Sequence, residues 1–208
     1  MDTPLPVVNG AVEGIVDEAV FRRLLQAVRA EPGTVSGKDG KQKLLERLRG
    51  YNNAARFSPW LVLVDLDRDA ECAPPFVAAR LPVPSEHMCF RVAVPEVEAW
   101  LLGDRERLAR FLSVDPGWIP GDPEGLPNPK MQVVNLARRS RSREIFADMV
   151  PRRESGRSEG AAYASRLIEF ISDSRRGWRP NVAARSSNSL RRCIRRLRRL
   201  VRAETLRQ

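Results

Sequence analysis

Trp60 to Val64 (WLVLV) is a run of five consecutive apolar residues, and it limits the fold more than any other feature of the chain. A strand with one wet face alternates apolar and polar residues, whereas an unbroken apolar run belongs to a strand covered on both faces, as in a parallel α/β sheet. The run opens directly into Asp65-Leu66-Asp67-Arg68-Asp69. Upstream, Leu5 to Val12 reads as a short buried strand interrupted by Asn9-Gly10 and closed by Glu13-Gly14. From Asp17 the apolar positions Val20, Leu24, Leu25 and Val28 recur at helical spacing, with Asp17 and Glu18 where a helix dipole favours anions. Glu31-Pro32-Gly33 is expected to be a loop ending that helix, with a second strand around Thr34-Val35 and then a helix carrying Leu44, Leu45 and Leu48. After a Pro-rich connection, Met88 to Val94 gives another strand, and Pro95 is placed in the first turn of a helix with Val97, Trp100, Leu101 and Leu102. The expected fold class is α/β: a mostly parallel, Rossmann-like central sheet flanked by helices, followed by an all-helical C-terminal region.

A chain of 208 residues suffices for one substantial domain with a helical extension. The expected division is an α/β core over 1–112, an exposed Pro/Gly-rich loop over 113–129, and a basic helical region over 130–208 packed on the core. The net charge of +10 is uneven: residues 138–208 hold 20 Arg and no Lys against 7 acids, residues 1–137 hold 16 basic and 19 acidic residues. A basic half of this kind points to nucleic acid, although arginine-rich usage is also what a GC-rich genome produces. The most periodic segment is the last, with Leu190, Cys193, Ile194, Leu197, Leu200 and Val201 on one face, capped by Asn188 or Ser189. Arg191, Arg195 and Arg198 on the opposite face are candidates for phosphate contacts; a solvated amphipathic helix is the plainer alternative. No stretch approaches the roughly 20 apolar residues of a membrane span, and no signal peptide is legible, so a soluble, cytoplasmic protein without membrane contact is expected. Cys72, Cys89 and Cys193 are odd in number and far apart, which fits reduced structural thiols rather than disulfides or a metal clip.

Open parallel sheets present their crevice beyond the carboxyl ends of the strands, where this chain places acids. Glu13 follows the first strand, Asp65, Asp67 and Asp69 follow the WLVLV strand, and Glu96 and Glu98 follow the next. Alternation along an extended segment points Asp65 and Asp67 to one side, where both can face a hard cation such as Mg²⁺. Taken singly, each acid has a plainer reading: Asp is common in turns, and Glu96 and Glu98 suit the first turn of a helix.

In combination, Val12-Glu13-Gly14 closing a strand and Asp65-Leu66-Asp67 closing a later one resemble the TOPRIM domain of topoisomerases, primases, ribonuclease M5 and OLD-type nucleases. Pro95 to Leu102 (PEVEAWLL), Trp178, Ala183-Ala184 and the serine-flanked helix at Ser187-Asn188-Ser189-Leu190 extend the resemblance over most of the chain, to a bacterial TOPRIM-like family whose domain has no assigned function. That resemblance implies a TOPRIM-like fold and a Mg²⁺- or Mn²⁺-dependent nuclease or phosphodiesterase acting on DNA or RNA. It implies Glu13 as acid/base or ligand, Asp65 and Asp67 with Asp69 as metal ligands, and Glu98 as an additional catalytic acid. By the same analogy the chain would be an anti-phage defence effector working with an ATPase partner. The chain lacks a second domain for a nucleophilic Tyr and a Cys/His zinc module, which sets topoisomerase and primase chemistry aside. The competing expectation is a non-catalytic nucleic-acid- or partner-binding module whose metal site is structural or regulatory.

Other signals are weaker. Gly33 to Lys38 (GTVSGK) is one residue short of a phosphate-binding loop, with Asp39 at its Ser/Thr position, although Lys38 and Lys41 remain candidates for phosphate contact beside the sheet edge. His87 has no nucleophile identifiable beside it and reads as surface or structural. Trp100, Trp118 and Trp178 are read as core residues rather than base-stacking platforms.

Overall fold

The computed structural model describes residues 4–206 and divides into two compact units, Met1–Val94 together with Ser189–Gln208, and Pro95–Asn188. The first is an α/β unit. Its elements are β1 (Val7–Val12), α1 (Ile15–Val28), β2 (Glu31–Gly37), α2 (Lys41–Glu46), α3 (Leu48–Ala54), β3 (Trp60–Asp65), α4 (Ala73–Arg80) and β4 (Met88–Ala93), joined by the C-terminal helix, which runs over Asn188–Thr205. The four strands form one sheet in the order β2-β1-β3-β4, and every pairing is parallel.

Both faces of this sheet are covered, as the WLVLV run requires: Leu61, Val62, Leu63 and Val64 are all 0% exposed. Ala11, Val62, Val64, Phe90 and Val92 pack with Leu44 and Leu48, Tyr51 and Phe76 from α2, α3 and α4. On the other face α1 comes so close that a Cβ on Gly10 would stand 2.7 Å from the Phe21 ring. Cys89 of β4 and Cys193 of the C-terminal helix are both buried, and burial raises their thiol pKa against the opposing pull of the Arg91 guanidinium. Arg196 of that helix donates to the Glu86 and Met88 carbonyls at 3.3 and 3.2 Å, tying it to the start of β4.

Several boundaries differ from expectation for definable reasons. Helix α1 ends not at Pro32 but at Arg29, which turns left-handed at φ 61°. Glu31-Pro32-Gly33 is part of β2, an edge strand, where a missing N–H is tolerated because pairing is needed on one side alone. Asn9 marks a register shift between β1 and β2, and its side chain bridges the gap by accepting from Thr34 N–H at 3.0 Å. The Pro-rich connection contains α4, whose prolines sit in its first turn, where no N–H is needed. One expected helix is two, α2 and α3, meeting at Arg47.

The second unit is helical: α5 (Val97–Leu102), α6 (Arg105–Leu112), α7 (Pro129–Ala137), α8 (Arg143–Met149), α9 (Tyr163–Ser172) and α10 (Pro180–Ala183), with short 3₁₀ turns at Pro116–Trp118 and Arg153–Ser155. Pro95 precedes α5, with Glu96 as the residue before its first turn. The Trp178 indole donates to the Trp100 carbonyl at 3.1 Å, and both rings are fully buried. Trp118 departs from the core expectation, 46% exposed beneath the Arg139 guanidinium. Asp104, also fully buried, accepts three bonds from Arg179: the backbone N–H and Nε at 2.9 Å and Nη2 at 2.7 Å. No helix among the described residues is long and apolar enough to cross a membrane.

Candidate functional site

From β1 the chain passes to β2 on one side, and β3 then pairs with β1 on the other, so the order of strands reverses between β1 and β3. Such a reversal opens a crevice at the carboxyl ends of the two strands, because their outgoing connections leave to opposite sides. Glu13 follows β1 there and Asp65 ends β3, and the Asp65 N–H donates to Glu13 Oε1 at 2.7 Å across that opening. The carboxylate thereby satisfies the last amide of β3, while the next amide, Leu66, donates to the Ala93 carbonyl of β4.

Burial is the largest influence on the Glu13 carboxyl and pushes its pKa up to about 7. The Asp65 amide and the Lys41 ammonium pull it back down, and Asp67 and Asp69 push it further up. Glu13 is thus a half-buried acid that exchanges its proton near neutrality.

The loop between β2 and α2 is fastened to the same strand end. Lys38 N–H donates to the Val12 carbonyl at 2.9 Å and Gly40 N–H to the Glu13 carbonyl at 3.1 Å. Gly37 has φ +92°, and a Cβ there would collide with the Val12 carbonyl oxygen, so glycine is required by both backbone and space. Lys41 then opens α2 with its ammonium among the acids: Nζ lies 2.9 Å from Asp67 Oδ2, 2.8 Å from Asp69 Oδ2 and 3.2 Å from the Leu66 carbonyl oxygen. Burial works against this ammonium, but its bonds to Asp69 and Asp67 outweigh that and raise its pKa above the ordinary lysine value. Lys41 and Arg80 both lie over the Phe76 ring, at 5.4 and 5.5 Å. Beside them an open groove of about 530 Å³ is lined by Lys41, Gln42, Leu45, Glu46, Asp69 and Arg80.

The structure therefore brings together Glu13, the Asp65 backbone, Asp67, Asp69 and Lys41. It does so differently from the alternation argument. β3 ends at Asp65 and Asp67 is left-handed, at φ +52°, so side-chain alternation has stopped before Asp67 is reached. Lys38 turns aside to pair with Glu18 Oε2 at 3.0 Å. Glu98 belongs to the second unit, where it is 6% exposed and accepts from the Tyr163 hydroxyl at 3.2 Å. Burial dominates there and raises the Glu98 pKa, opposed by its own backbone amide, by Lys130 and by Tyr163. Arg191, Arg195 and Arg198 lie on the exposed side of the C-terminal helix, in the same unit as Glu13. His87 is 6% exposed, not on the surface, with Nδ1 3.5 Å from Glu204. Arg80 and Phe76 were not singled out from sequence; the proline-rich composition around them concealed the helix that carries them.

Hard cations such as Mg²⁺ take oxygen donors, and Asp67 and Asp69 offer the right chemistry. Yet among the described residues no three His, Cys, Asp or Glu side chains gather closely enough to hold a metal ion, and the cation between Asp67 and Asp69 is Lys41. The donor chemistry fits a hard metal, while the arrangement is closed around an internal ammonium. No protein-family model, curated protein or solved structure matches this chain.

Proposed function

We propose that the chain is a TOPRIM-like, metal-dependent phosphodiesterase acting on DNA or RNA. The observation that supports this best is the Asp65-to-Glu13 hydrogen bond across the strand-order reversal, with a carboxyl titrating near neutrality at its centre. Ligands in open α/β sheets collect at such reversals. Mg²⁺, or Mn²⁺ in its place, would be held by Asp67 and Asp69 with Asp65 and Glu13, and when bound supplies charge stabilisation at a phosphate and an activated water. Glu13 is suited to hold or release a proton in the neutral range, because its carboxyl is balanced at about 7. Lys41 and Arg80 line the adjoining groove and supply positive charge for phosphate oxygens. The arginine face of the C-terminal helix suits a nucleic-acid backbone. A catalytic part for Glu98, an ATPase partner and a role as an anti-phage effector rest on the family resemblance alone.

Incubating the purified chain with labelled DNA, RNA and tRNA in Mg²⁺ or Mn²⁺ tests this reading. Cleavage is expected, and its loss in Glu13→Gln and Asp67→Asn with the fold intact. Cleavage undiminished in both variants would remove the site from the chemistry.

A second reading, a non-catalytic nucleic-acid- or partner-binding module, is favoured by the Lys41 ion pairs, which neutralise Asp67 and Asp69 without any metal. Binding without cleavage across all three nucleic acids would establish it.

A further inference from the structure

We propose that Lys41 is the resident counter-ion of the acidic site and that a divalent cation enters by displacing it. The inference rests on reading Asp67 and Asp69 as metal ligands.

The geometry is that of an occupied cation position rather than an incidental surface pair. All three protons of the ammonium have an acceptor, two of them carboxylate oxygens at 2.8 and 2.9 Å. The Lys41 side chain is 15% exposed although its aspartates are 48% and 42% exposed, so water reaches the acids while the ammonium is covered. Its position is fixed from both ends. Gly37 and Gly40, at φ +92° and +89°, bind the preceding turn to the end of β1, and the stem runs over the Phe76 ring. An ammonium and a divalent ion cannot share one pair of carboxylates, since each repels the other at hydrogen-bond distance.

The displaced ammonium has somewhere to go. Lys41 also lines the groove that Arg80 borders, so a phosphate diester lying there competes with Asp67 and Asp69 for it. Phosphate in the groove and metal on the aspartates then favour each other, and linkage makes the effect reciprocal. At rest the site is self-neutralised; substrate opens it to the metal.

The test is Mn²⁺ affinity, read from the electron paramagnetic resonance signal of the free ion. It is measured on the full chain at pH 8.5, with Mn²⁺ alone and with a short single-stranded DNA added. Lys41→Met, which keeps the apolar stem, and Lys41→Gln are compared with wild type, thermal melts verifying that each folds. Both variants are expected to bind Mn²⁺ about tenfold more tightly, the scale of losing two competing ion pairs. DNA is expected to tighten Mn²⁺ binding to wild type and to leave Lys41→Met unchanged. Equal affinity in wild type and both variants overturns the inference while leaving the metal reading intact. Absence of Mn²⁺ binding from all three proteins, with and without DNA, overturns both.

Discussion

Replacing Glu13 by Gln isolates the energetic cost of an ionised carboxylate at the strand-order reversal. The amide oxygen of Gln can still accept from Asp65 N–H, a bond of 2.7 Å in the wild type, so the change removes charge while keeping the acceptor. Burial raises the folded-state pKa from 4.5 to about 7. Between those values the folded chain keeps a proton that the unfolded chain has released, so the Glu13 contribution to stability falls as pH rises through that window. The full displacement corresponds to about 3 kcal/mol. Because solvent reaches part of the carboxyl, about 2 kcal/mol is the expected size. Urea unfolding of both proteins at pH 4 and pH 8.5 is the assay. The stability of Glu13→Gln relative to wild type is expected to improve by about 2 kcal/mol between the two conditions. Profiles that stay parallel to within about 0.5 kcal/mol would refute the argument, since Glu13 would then titrate as an ordinary exposed acid.

Asp104→Asn in the helical unit strands the Arg179 guanidinium beside a neutral buried group, and a loss of about 3 kcal/mol is expected in urea unfolding followed by circular dichroism. Gly37→Ala and Gly40→Ala share the penalty of a positive φ, about 1–2 kcal/mol, but a Cβ on Gly37 also meets the Val12 carbonyl while none is near at Gly40. Gly37→Ala is therefore expected to melt clearly lower than Gly40→Ala, and equal melting temperatures would contradict the close approach. Substituting Arg192, Arg195 and Arg199 together by Gln is expected to weaken nucleic-acid binding and to flatten its salt dependence by about 0.9 for each phosphate those side chains neutralise. An unchanged slope would place the binding surface elsewhere.

What could be read in advance was whatever neighbouring residues encode. The WLVLV run required a strand buried on both faces, and β3 is one. The final helix carries its period in every turn, and the six apolar positions named from that period are all buried. Glu13 and Asp65 were placed at strand ends by the same local logic. Asp67 was not placed correctly, because alternation holds only while the backbone stays extended and here it turns left-handed after two residues. The sequence alone determined an α/β sheet with acids at its carboxyl edge and a basic helix at its end, since apolar periodicity and strand-end position are properties of consecutive residues. Tertiary structure decided which acids meet and what stands among them. Strand order sets Glu13 against the Asp65 amide, and a glycine-bound turn carries Lys41 to Asp67, 26 positions later in the chain. No local pattern contains those pairings, because they arise only when a hydrogen-bonded sheet brings two distant strand ends within 3 Å of each other's polar groups.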